Sequence, residues 1–236
     1  MARRRAVVAI DGPAGAGKTT VSRLVAQALG YPILGTGALY RAVALAAERR
    51  GIAWHDEPRV GALAEELAAT GAIEVELDRE AGQRIRLSGE DVTEALATER
   101  MGGGASQVSA SARVRAALLD SQRRAGRAGG VVLEGRDIGT VVFPDAEAKF
   151  FLTASAEVRA ERRYRELVER GIPCDLAAIR REVSERDRRD ATREAAPLTQ
   201  APDAMLVDSS ELTVGEVVAI IVERVRAIER SLAASG

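Results

Sequence analysis

Cysteine, histidine and tryptophan each occur once in the 236 residues, and lysine only twice. A lone Cys174 excludes a disulfide framework and a cysteine zinc site. His55 sits in a polar stretch, Trp54-His55-Asp56-Glu57-Pro58, with no second histidine to share a task, so a catalytic imidazole has little to build on. No run approaches the ~18 apolar residues of a membrane span. No charged-then-apolar segment leads to a small-residue cleavage site, and Arg3-Arg4-Arg5 run straight into a strand pattern. Aromatics make up 3% of the chain and the net charge is −1, which argues against a nucleic-acid coat. The expectation is a soluble, reduced, cytoplasmic monomer whose partners are small molecules, neither nucleic acid nor membrane.

With 46% hydrophobic residues, the chain can bury a core the size of one large domain. Its 34 basic residues are arginine except at Lys18 and Lys149. A chain that writes arginine almost everywhere has kept a lysine at position 18.

Short apolar runs of buried-strand length alternate with helical patterns. The runs are Ala6–Ile10, Tyr31–Leu34, Gly130–Leu133, Ala148–Leu152 and Ala204–Val207. Helical spacing covers Thr19–Leu29, then 156–170, 175–190 and 213–231. Strands buried on both faces and separated by helices predict an α/β fold, a doubly wound parallel sheet of five strands. The stretch 37–125 is too long for one crossover and reads as an insertion. It holds helices over 38–50 and 58–69, and a hairpin of Ile73–Leu77 and Arg84–Leu87 with period-two alternation. The run Gly102-Gly103-Gly104 is expected to break the chain before a helix from Ala105 to Arg124. The tail Ala233-Ala234-Ser235-Gly236 reads as low-complexity sequence.

Gly12-Pro13-Ala14-Gly15-Ala16-Gly17-Lys18-Thr19 matches G-x-x-x-x-G-K-[ST] in full, between a predicted strand and a predicted helix. The glycines let backbone N–H groups curl into an anion nest, and the helix start adds partial positive charge. Lys18 is placed to reach the β- and γ-phosphates of ATP, and the Thr19 hydroxyl to ligate Mg²⁺, with Thr20 next to it. A P-loop alone leaves GTPases, motor ATPases and small-molecule kinases open. No N-K-x-D run for guanine is present, whereas the stretch 156–193 holds 11 arginines. Transfer between two phosphate-bearing substrates needs such charge. Most of these arginines also read simply as a solvated helix face paired at i,i+4.

Further segments narrow the choice: Thr36-Gly37-Ala38-Leu39-Tyr40-Arg41, Ala105-Ser106-Gln107-Val108, Arg113-Val114-Arg115, Gly135 to Ala146 (GRDIGTVVFPDA) and Glu185 to Asp190 (ERDRRD). In this order, with the P-loop, they resemble the bacterial cytidylate kinases, over nearly the whole chain from Val7 to about Val225. The resemblance implies a single P-loop kinase domain (1–236), a monophosphate-binding insertion (37–125) and a mobile lid (156–170). It implies ATP-dependent, Mg²⁺-assisted phosphorylation of CMP and dCMP. Arg41, Arg136 and Arg186 would hold the CMP phosphate beside Thr36. Ser106, Arg115 and Asp137 would read the cytosine, Asp190 and Arg193 would sit at the ribose and acceptor side, and Arg162 in the lid would meet ATP. Two positions depart from the pattern. Gly35 stands where many members carry Asp, and Glu134, placed to hold Mg²⁺ through water, stands where Asp often precedes Gly-Arg-Asp.

Overall fold

The computed structural model describes residues 5–80 and 82–234, so Arg3, Arg4, Ala81 of the hairpin turn, and Ser235-Gly236 lie outside the described residues. Five parallel strands form the main sheet: β1 (Val7–Asp11), β2 (Ile33–Gly35), β6 (Val131–Gly135), β7 (Ala148–Thr153) and β8 (Met205–Asp208), in the order β2-β6-β1-β7-β8. Every residue of β1 is buried, as a central strand covered on both faces must be. Helices α1 (Lys18–Leu29) and α8 (Val214–Ala234) pack one face through Val21, Val25, Ile221 and Val225 against Val8, Ile10 and Phe150. Fully burying side chains of this size contributes about 1.5–3 kcal/mol each. Among the described residues no helix is long and apolar enough to cross a membrane.

The chain leaves β1 to one side for β2 and later fills the other side with β7 and β8, so the order reverses next to β1. Ligands bind at the carboxyl ends of strands at such a switch point. Register aligns the site: Asp11 lies opposite Gly135, and Glu134 lies opposite both Ile10 and Gly35.

Between β2 and β6 the chain builds α2 (Gly37–Arg49), α3 (Glu57–Ala69), and a small antiparallel sheet of β3 (Ile73–Asp78), β4 (Gly82–Leu87) and β5 (Glu90–Asp91). Helices α4 (Glu99–Val108) and α5 (Ala112–Gly126) complete it around a core of Leu39, Val43, Leu63, Ile85, Leu96 and Leu118. The expected hairpin is present, with β5 added to it. The expected break at Gly102–Gly104 is not: all three glycines lie inside α4. At Gly104 the reason is packing against α2 and the Trp54 ring, whereas a Cβ on Gly103 would meet open space. A Cβ built on Gly104 would stand 2.9 Å from Ala44 Cβ and 2.9 Å from the Trp54 ring. The ring cannot retreat easily, because its Nε1 donates to Ala44 O at 2.9 Å. The break falls instead at Ser109–Ser111, which splits the expected helix of 105–124 in two. Gly104→Ala should destabilise by about 1–3 kcal/mol, as overpacking does, despite alanine's better helix propensity. A thermal melt that stays level or rises would refute this account of the glycine.

After β7, α6 (Ala156–Glu169) and α7 (Leu176–Thr192) pack on one another through Ala160, Leu167 and Ile179, a small cluster apart from the main cores. Lys149 on β7 is interior, its ammonium donating to Pro144 O and bonded to the Asp203 carboxylate at 2.8 Å.

Candidate active site

Gly12 opens the loop after β1 with φ +149°, and a Cβ there would lie 1.9 Å from Leu152 O, so only glycine fits. Gly17, at φ +83°, turns the chain into α1. Residues Gly12 to Thr19 therefore wrap the start of a twelve-residue helix, with Thr19 and Thr20 exposed in its first turn. Lys18 is buried, and its Nζ donates to Pro13 O at 2.7 Å. Burial and the nearby Arg136 and Arg186 guanidinium groups push its pKa well down, only partly offset by Glu134. An arriving phosphate anion reverses that bias.

The far wall follows from β6. Glu134 ends the buried run of that strand and accepts the Thr19 hydroxyl at 2.9 Å on Oε1, while its Oε2 is buried without a protein partner. This pair of hard oxygen donors, one with unused acceptor capacity, fits a Mg²⁺ ion held mainly by substrate phosphates. Thr36, the residue before α2, donates its N–H and hydroxyl to Glu134 O at 3.0 and 2.9 Å. Gly35 carries no side chain toward Glu134, and its N–H donates to Gln83 Oε1 at 2.7 Å.

A single π turn over Ile138–Val142 follows Gly135-Arg136-Asp137, and such turns recur at functional positions. Asp11 clamps this segment to the P-loop strand by accepting Ile138 N–H at 2.8 Å and Gly139 N–H at 2.7 Å. Burial raises the Asp11 carboxyl to about 6, against those two N–H groups, which favour its charged form.

The structure gathers the arginines expected at the acceptor phosphate. Arg136 Nε donates to Asp190 at 2.9 Å, Arg186 Nε is buried with no protein acceptor, and Arg41 donates to Leu96 O at 3.0 Å. Burial and mutual repulsion with Arg136 lower the pKa of both Arg186 and Arg41. Burial raises the Asp190 carboxyl, but Arg136, Arg186 and Arg193 outweigh it and hold the group below the usual carboxylate range. Such an excess of cation over the nearby Asp190 and Glu134 carboxylates can receive a phosphate anion.

Asp137 is buried in an ion pair with Arg115, whose guanidinium lies 5.5 Å from the Tyr40 ring centre. Tyr40 is a core residue, as its helical position suggests, with its hydroxyl accepting from Gln122 at 3.3 Å. Arg115 and Asp137 line a hollow of about 240 Å³, whereas Ser106, Asp190 and Arg193 line a larger one of about 390 Å³ that also reaches Trp54 and His55. Arg193 stands between the two sets, its Nη2 3.9 Å from Asp137 and its Nε donating to Ala196 O at 2.6 Å. Ser106 Oγ is buried without a protein partner.

Arg162, expected to meet the donor nucleotide as the lid closes, donates here to Ser209 Oγ at 3.1 Å and Ser209 O at 2.6 Å, beyond the end of β8. The arginine that touches the P-loop is Arg159. It is buried, donates to Ala14 O at 3.0 Å and Ala154 O at 2.9 Å, and pairs with Asp187 of α7 at 2.6 Å. Sequence reasoning places it among the arginines near strand ends or on short helices that could neutralise phosphate, without a role of its own, and its spacing carries no sign of the burial that distinguishes it.

A P-loop at the switch point of a parallel sheet, facing a second group of arginines, defines a phosphotransferase for two phosphate-bearing substrates. The family model described as cytidylate kinase matches residues 8–227. A curated cytidylate kinase of Geobacter sp. (strain M21) is 50% identical over 93% of this chain and 92% of its own. That of Neisseria meningitidis (strain FAM18) is 47% identical over 95% and 99%, and that of Pseudomonas aeruginosa (strain UCBPP-PA14) 50% over 92% and 93%. The solved structure of TT1252 from Thermus thermophilus is 20% identical, with a TM-score of 0.43 over 94% of this chain and 97% of that one. The chain belongs to the cytidylate kinase family. It is an enzyme that phosphorylates a nucleoside monophosphate.

Proposed function

We propose that this enzyme transfers the γ-phosphoryl group of ATP to CMP, and also to dCMP, as a cytoplasmic monomer. The observation that carries the choice of base is the buried Arg115–Asp137 pair, which offers a donor beside an acceptor. Cytosine presents an acceptor at N3 beside a donor at N4, the complementary order, and uracil presents the reverse. Ser106 and Arg193, each with a buried polar atom that makes no hydrogen bond, supply further contacts once base and ribose draw the two hollows together.

Arg41, Arg136 and Arg186 hold the acceptor phosphate, and the P-loop N–H groups with Lys18 hold the donor. An oxygen of the CMP phosphate attacks Pγ in line while the bond from Pγ to the β–γ bridging oxygen breaks, leaving ADP and CDP. Negative charge shifts toward that bridging oxygen and the equatorial oxygens, where Lys18 and the arginines stand. Mg²⁺, when bound, would screen the donor phosphates, with Thr19 as its direct ligand and Glu134 reached through water. No side chain is required as a strong base, since positioning and charge supply most of the acceleration. The segment 156–170 acts as the lid, and Arg162 exchanges Ser209 for the donor phosphates as it closes.

A coupled assay of ADP release with CMP, dCMP, UMP and AMP tests the reading. CMP and dCMP should give kcat/KM at least about 100-fold above UMP and AMP, because a buried pair left unmatched is costly. Turnover that is equal across the four, or absent with all of them, would overturn it.

A further inference from the structure

We infer that Gln83, at the start of β4, is a positioning residue for the carboxylate of Glu134, occupying ground that Gly35 leaves empty. The inference rests on the reading of Thr19 and Glu134 as the metal side of the nucleotide site. β2 is an edge strand. The N–H of Thr36 turns toward Glu134 O in β6, and the Gly35 N–H turns the other way, where Gln83 Oε1 accepts it at 2.7 Å. The hairpin thereby ties its own polar residue to the last position of β2.

The missing side chain makes this possible. A Cβ on Gly35 would stand 3.1 Å from Glu134 Oε1 and 3.6 Å from both Gln83 Nε2 and Gln83 Oε1. Amide and carboxylate therefore flank one point, from opposite elements of the fold. Glu134 gives one oxygen to the Thr19 hydroxyl and keeps the other buried without a protein partner, so its carboxylate has acceptor capacity in reserve. With Oε1 fixed on the Gly35 N–H, the Gln83 amide has a set orientation. Gln83 makes no direct hydrogen bond to Glu134, so its amide reaches the carboxylate through a bridging water, with a donor and a second lone pair to offer. It does so without placing a second negative charge next to Glu134. Residues that orient a metal-bound group from behind typically change metal affinity by roughly 10-fold or more when removed.

The test uses the full chain. Mn²⁺ affinity of the ADP complex is read from the electron paramagnetic resonance signal of free Mn²⁺, and CMP affinity from calorimetry without metal. Gln83→Ala should weaken Mn²⁺ by roughly 10-fold and leave CMP affinity unchanged. If Gln83 only docks the hairpin, Gln83→Ala would lose CMP affinity, Mn²⁺ affinity and melting temperature together, and the inference fails. Thr19→Ala separates the two readings. Weakened Mn²⁺ in Thr19→Ala with wild-type Mn²⁺ affinity in Gln83→Ala overturns the role of Gln83 alone, whereas unchanged affinity in Thr19→Ala overturns the metal site itself.

Discussion

Lys18→Ala should lower kcat by at least about 100-fold, the scale seen when a positioned charge that strengthens in the transition state is removed. The melting temperature should not fall with it. In the free protein the Lys18 ammonium holds one neutral acceptor, Pro13 O, and stands close to Arg136 and Arg186, whose repulsion and the burial itself push its pKa down. Removing the charge relieves that crowding while taking away the cation proposed to meet the donor phosphates. Single-turnover kinetics with a paired melting curve check both halves. Near-normal turnover at unchanged stability would mean that the P-loop does not hold the transferring phosphate.

Asp137→Ala should lower kcat/KM for CMP by roughly 10- to 100-fold and leave UMP unchanged or improved, because cytosine N4 loses a buried acceptor at about 1–3 kcal/mol while uracil O4 loses a repulsion. The structure adds a second expectation. Asp137 is the buried counter-ion of Arg115, with Arg193 3.9 Å away, so its removal strands cations and costs about 3–5 kcal/mol of stability. Measurements therefore belong well below the melting temperature. The deciding quantity is the CMP/UMP ratio of kcat/KM, which a general loss of folded enzyme leaves untouched. A ratio equal to that of the wild type would make Asp137 a scaffold for Arg115 and Arg193, with the cytosine read elsewhere.

What could be read from the chain was whatever is encoded locally. A strand, a glycine loop and a helix in succession need no tertiary information, and Gly12 to Thr19 stand where that succession puts them. The five strands were legible because burial on both faces writes continuous apolar runs. The Gly102–Gly104 run misled because glycine's poor helix propensity is a local property, whereas the reason for Gly104 is Trp54, fifty residues away in sequence. Arg159 was hidden for a related reason: among so many arginines, only its burial against Ala14 sets it apart. Gly35 looked like the loss of a carboxylate. Its replacement neighbour, Gln83, comes from the hairpin, and no pattern along the chain links the two positions.

The placement of the two lysines has a practical side. Both are interior, Lys18 beneath the phosphate loop and Lys149 tied to Pro144 and Asp203. Apart from the His55 imidazole, every other basic side chain is a guanidinium, which does not acylate under the mild conditions that modify amines. The folded surface thus offers amine-directed chemistry almost no ε-amino handle. On the proposed reading of the P-loop, nucleotide would shield the Lys18 amine, so slow acylation there would report on whether the donor site is filled.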